Sequence, residues 1–195
     1  MFDKWLKLPA HYYLHLTALS LLAVGIVLSN VLMSIGTIWI IANWLIEMDF
    51  RTKFSRFKKD KKVAAFALFF ILMLVSFLWS NDIDYAAKDV LVKLPFITIP
   101  FVMATTKSLE EKNYVFLLYL VLASLTFTTA FNFIRWHLYD FGDIREMSFF
   151  VSHIRLGGVL CITLFLVGYE ITKKRMSAWI TAPILLWLIF YIVKA

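Results

Sequence analysis

The sequence predicts an all-α fold, a polytopic integral membrane bundle of about seven transmembrane helices. The chain is 62% hydrophobic and only 17% charged, with a mean hydropathy of +0.79, whereas soluble domains carry about 25% charged residues. Its apolar residues gather into seven stretches separated by short polar connections. If every stretch crosses a bilayer, fourteen of the twenty Lys and Arg fall on one side: Lys4, Lys7, Arg51, Lys53, Arg56, Lys58, Lys59, Lys61, Lys62, Lys107, Lys112, Lys173, Lys174 and Arg175. Cytoplasmic loops retain basic residues, so this asymmetry places the N-terminus in the cytoplasm and predicts a multi-pass membrane protein of fixed orientation.

In a soluble protein the net charge of +7 would point to nucleic acid. Here the basic residues border apolar spans and serve instead as topology determinants facing anionic membrane lipid, with no nucleic-acid partner. Cys161 is the sole cysteine and can form no intrachain disulfide. The start MFDKWLKLPAHYY has no small-residue cleavage site, so the first apolar segment is expected to remain as an anchor.

Leu8 to Ile46 is a run of 39 residues without Asp, Glu, Lys or Arg. One helix of that length would be about twice the roughly 30 Å hydrocarbon thickness. It therefore divides into spans 11–28 and 31–48, with the break at Ser29-Asn30, two turn-forming residues. The basic loop 50–62 follows, with Phe50, Phe54 and Phe57 at helical spacing. It is either a short amphipathic segment on the cytoplasmic surface or a solvated charged loop, and the sequence leaves both open.

The third span, 63–79, closes on Trp79, an interfacial aromatic, followed by the helix-capping run Ser80-Asn81-Asp82. The fourth, 86–105, is entered through Asp84, Lys88, Asp89 and Lys93, two i to i+4 charge pairs, and then carries Pro95 and Pro100. Such a helix is expected to run along the outer interface before dipping through the bilayer with a proline kink. Span five, 114–135, holds Ser124, Thr128, Asn132, Arg135 and Tyr139 on one narrow face that should look into the bundle. Span six, 153–170, opens with His153 and Arg155 and contains Gly157-Gly158, small residues that permit close helix approach. Span seven is 177–193, and the whole chain, 1–195, reads as a single helical membrane domain.

No glycine-rich phosphate loop, metal-ligand spacing or nucleophile elbow is present, so neither a metal nor another cofactor is expected. His11 and His15 stand i to i+4 without a third ligand nearby, and together with Tyr12 and Tyr13 they read as interfacial anchors. The candidate site is the set of charges on the outer side, for which topology offers no account. Arg155, Arg135 and Lys93 are the candidates for pyrophosphate binding, supported by Asp82, Asp84, Asp89, Asn132 and His153. A guanidinium donates two parallel hydrogen bonds to phosphate and can stabilise it as a leaving group. The competing account is that the arginines snorkel to headgroups while Asp and Lys pair locally.

The runs Leu28-Ser29-Asn30 to Asn43-Trp44-Leu45, Leu78-Trp79-Ser80-Asn81-Asp82, Lys88-Asp89, Lys93-Leu94-Pro95 with Pro100, and Ser152-His153-Ile154-Arg155 resemble the N-terminal half of bacterial O-antigen ligase and polymerase-like proteins. The resemblance implies a multi-pass glycosyltransferase of lipopolysaccharide biosynthesis, set in the bacterial inner membrane. Such an enzyme moves a glycan from undecaprenyl pyrophosphate to an acceptor such as lipid A core, on the periplasmic face and without metal or nucleotide sugar. It also implies that outer arginines bind the carrier pyrophosphate, with Arg155 first. Family members are longer and carry a large periplasmic loop with the histidine thought to act in transfer. This sequence has no such loop, so the expectation is a truncated or split member that works with a C-terminal half or partner subunit. The alternative is a non-enzymatic polytopic protein, transporter-like or a structural subunit of an envelope complex.

Overall fold

A computed structural model describes residues 2–59, 65, 68, 71–72, 74–75, 79, 82–139, 146 and 148–194. Among these residues the regular structure is helical: α1 (Phe2–Leu28), α2 (Asn30–Ile46), α3 (Phe50–Lys59), α4 (Ile83–Lys93), α5 (Pro95–Thr105), α6 (Glu111–Leu138), α7 (His153–Thr172) and α8 (Ala178–Lys194). Among the described residues three helical stretches are long and apolar enough to cross a membrane, namely Ala10–Leu28, Glu111–Leu138 and His153–Thr172. The count is four if Asn30–Ile46 and Phe50–Phe57, bent by 114°, form one broken span, while Ala178–Lys194 is apolar but shorter. The third expected span, 63–79, lies largely outside the described residues.

Backbone contacts divide the chain into two compact units, Met1–His15 with Thr37–Ser108, and Leu16–Gly36 with Leu109–Ala195. In the first, the ends of α1 and α2 are clasped by side chains. Asn43 Oδ1 accepts from the His11 ring Nδ1–H at 2.8 Å, and its Nδ2 donates to the His11 carbonyl at 3.0 Å. Met48, at φ 51°, supplies the left-handed residue that stops α2. The Lys53 amide then bonds the Asp49 carbonyl at 3.1 Å as α3 begins.

The proline-bearing segment forms two 11-residue helices, α4 and α5, that meet at Leu94. Each is about 16 Å long, half the hydrocarbon thickness. Pro95 opens α5, where its missing N–H costs nothing because that donor has no partner within a helix. Asp82 caps α4, accepting the Tyr85 amide hydrogen at 2.9 Å.

In the second unit Ser29 separates α1 from α2, and its hydroxyl accepts the Leu32 amide hydrogen at 3.4 Å. The turn is tight. A Cβ on Gly25 would stand 2.4 Å from the Met33 nitrogen, and one on Gly36 would stand 3.0 Å from the Leu22 nitrogen. Among the described residues the close approach expected at Gly157 and Gly158 is found here instead, since a Cβ at either of those positions meets nothing within 4 Å. Leu118, Leu122 and Leu125 of α6, Leu156, Leu160 and Val167 of α7, and Leu188 and Tyr191 of α8 build the core, joined by Val27 of α1. Ridges of this kind pack because i, i+3 and i+4 residues share a helix face. Trp187 adds a polar tie from α8, its Nε1 donating to Thr129 Oγ1 at 2.9 Å.

Candidate functional site

The eight candidate residues fall in both units, Asp82, Asp84, Asp89 and Lys93 in the first and Asn132, Arg135, His153 and Arg155 in the second.

In the second unit, the polar face of α6 is buried at Ser124, Thr128 and Asn132, then emerges, with Arg135 half-buried and Tyr139 exposed. Asn132 is fully buried at 0% exposure. Such an amide is costly unless bonded. Its Oδ1 accepts the Phe149 amide hydrogen at 3.3 Å, and its Nδ2 donates to the Tyr191 hydroxyl at 3.4 Å. That pins the segment preceding α7 to α6 and α8. One turn along α6, the Arg135 guanidinium carbon lies 4.8 Å from the Phe149 ring centroid, a cation–π contact.

Ser152 caps α7 by accepting the Arg155 amide hydrogen at 3.4 Å. His153 is the first residue of that helix and is exposed. Arg155, two residues on and half-buried, donates from Nη1 to Asn30 Oδ1 at the start of α2. The amide orients the guanidinium without neutralising it and occupies one of its five donors. Its neighbouring helix N-terminus adds a partial positive charge. An anion meeting this corner would find a planar donor fork held by a neutral partner.

In the first unit the charges pair locally. Lys93 Nζ lies 2.6 Å from Asp89 Oδ2, with both side chains about two-fifths exposed at 43% and 38%. A pair that wet contributes about 0.5 kcal/mol or less. Asp82 is engaged in capping α4, while Asp84 and Lys88 are exposed. Lys93 thus arrives with a carboxylate partner, whereas Arg155 is held by an amide. Arg145 lies outside the described residues.

Sequence reasoning missed three groups. Lys53, counted above as a topology charge, is 2% exposed. Its Nζ lies 2.9 Å from Glu47 Oε2, donates to the Trp44 carbonyl and sits 4.6 Å from the Trp44 ring centroid. Trp44 Nε1 donates to Thr105 Oγ1 at 2.8 Å, and Arg56 donates to the Thr105 carbonyl at 3.2 Å. These contacts fasten α2, α3 and α5 together. The third group is buried Glu170, 3.4 Å from Arg175, which also reaches Glu111 at 3.0 Å. The one available signal was the spacing of Phe50, Lys53 and Phe57, which puts the lysine on the aromatic face of α3.

Among the described residues no three His, Cys, Asp or Glu side chains are grouped to hold a metal ion. His11 is bonded to Asn43, and the buried His15 ring makes no hydrogen bond. No protein-family model matches the chain, and comparison with curated proteins and with solved structures likewise finds no significant match.

Proposed function

We propose that the chain is a seven-span bacterial inner-membrane protein, N-terminus in the cytoplasm, that holds a polyprenyl-pyrophosphate-linked glycan on its periplasmic side as part of an O-antigen ligase-like glycosyltransferase. The observation that carries this reading is Arg155, fixed at the head of α7 by the neutral Asn30 amide, so that its charge is oriented and still available to a phosphate. Arg135, set by Phe149 and through it by Asn132, is the second contact. Lys93 is the weaker candidate because Asp89 already pairs with it.

In transfer, an acceptor hydroxyl attacks the anomeric carbon, the bond to pyrophosphate breaks, and the leaving group departs with the bonding electrons. Arginine donors lower the cost of that developing charge. The proton on the acceptor goes to a base supplied by a C-terminal half or partner subunit. His153, at the first turn of α7, is not assigned that role. Transfer of labelled glycan from carrier to acceptor in liposomes, with the partner supplied, tests the activity.

A transporter-like role is the second reading, and the break between α4 and α5 at Leu94-Pro95 favours it, because discontinuous helices line transport sites. Uptake of a labelled solute into liposomes by the chain alone would establish that reading over the first.

A further inference from the structure

The basic segment α3 has an inner and an outer side. On the inner side Lys53 is buried, Phe57 packs on Phe101 at 5.2 Å, Phe50 packs on Trp44 at 5.5 Å, and Arg56 donates to the Thr105 carbonyl. On the outer side Phe54 is 51% exposed and Arg51 is exposed three residues before it, on an adjoining face. The sequence supplies Lys58 and Lys59 in the last turn. Immediately before α3, Ile46 and Met48 are exposed as well.

We infer that α3 is an interfacial helix that binds the headgroups of anionic phospholipid, with Phe54 in the acyl boundary and Arg51 at the phosphates. The 114° bend from α2 carries the inference together with this division of residues. If the apolar α2 stands along the membrane normal, α3 lies close to the membrane plane, at headgroup depth. A re-entrant course through the hydrocarbon does not fit, since exposed Arg51 would be stranded in it. A water-facing surface does not account for exposed Ile46, Met48 and Phe54 around one corner. Apolar side chains beside cations are the pairing that an anionic bilayer surface complements. This inference is independent of the pyrophosphate site and needs no glycan chemistry.

The test uses the full chain with Cys161→Ser and a fluorophore on Phe54→Cys, reconstituted in mixed bilayers of phosphatidylcholine and phosphatidylglycerol. Bromine is placed near the headgroup end of the acyl chains of one lipid at a time. Quenching by brominated phosphatidylglycerol should exceed quenching by an equal fraction of brominated phosphatidylcholine. Arg51→Gln should reduce that selectivity by about fivefold, the equivalent of about 1 kcal/mol for one basic side chain near an anionic surface. Raising salt in the unsubstituted chain should weaken it too, without any change in sequence. Equal quenching by the two lipids, or quenching by aqueous iodide and by neither lipid, overturns the inference; the iodide result would assign the face to a soluble partner.

Discussion

Asn132 accepts the Phe149 amide hydrogen at 3.3 Å, and through that bond a fully buried amide in α6 sets the ring against which Arg135 lies. The arginine is therefore placed by a side chain three residues earlier in its own helix, acting through the loop that leads into α7. Asn132 also receives support from Tyr191, so α6, the loop and α8 share one polar knot.

Asn132→Leu should lower stability by about 1 kcal/mol, the usual size of a side-chain hydrogen bond between membrane helices. It should also weaken pyrophosphate binding by displacing Phe149 and Arg135. Thermal unfolding in detergent, followed by carrier binding, measures both. An unaltered midpoint together with unaltered binding would show that the knot neither stabilises nor positions.

Gly25→Ala brings a methyl to 2.4 Å from the Met33 nitrogen, a backbone atom that cannot rotate away. The expected loss is about 2 kcal/mol, in the range for overpacking. Gly157→Ala meets open space and should leave stability unchanged or raise it by up to about 1 kcal/mol, because alanine favours helix over glycine. Equal midpoints for the two variants would contradict the close turn between α1 and α2.

Lys53→Ala removes a buried stem and ammonium from between Trp44, Phe50 and Glu47. The expected cost is roughly 2–3 kcal/mol, moderated because Glu47 stays partly hydrated. Lys112→Ala breaks a pair with Glu110 whose side chains are 78% and 52% exposed, and should cost under about 1 kcal/mol. Comparing their unfolding midpoints checks the ranking, and a larger loss for Lys112→Ala would sink it.

Helical class was legible because hydropathy and helix punctuation act locally. Ser29 separates α1 from α2 where a turn residue interrupts an unbroken apolar run, and Pro95 begins α5 where proline is tolerated. The buried course of Ser124, Thr128 and Asn132 was legible from period alone. What escaped were partnerships set by tertiary placement. No spacing rule joins Arg155 to Asn30, 125 positions away, or Trp44 to Thr105, 61 away. The burial of Lys53 escaped for the same reason: its spacing with Phe50 and Phe57 places it on an aromatic face, but its contacts with Trp44 and Glu47 are set by packing. The glycines escaped in the opposite sense, because Gly157-Gly158 has the composition of a helix contact but, among the described residues, no neighbour within 4 Å to make it.

The proposed orientation rests on the charge asymmetry and can be read with reporters. A fusion after Asp49 should place its reporter in the cytoplasm and one after Phe150 should place it in the periplasm, given fourteen of twenty basic residues on one side. Alkaline phosphatase activity should appear only in the second. The reverse pattern would move Arg135 and Arg155 to the cytoplasm and remove the proposed site from the face where it is needed.

The central claim is that Arg155 binds a pyrophosphate-linked carrier. The most direct measurement is equilibrium binding of a polyprenyl pyrophosphate to the purified full chain, unsubstituted and as Arg155→Ala, with a zwitterionic lipid of similar length as the reference. Loss of one charge-assisted contact of about 2 kcal/mol should weaken binding about thirtyfold while the reference lipid is unaffected. Equal affinity of the two proteins for the carrier would contradict the claim and take Arg155 out of the site.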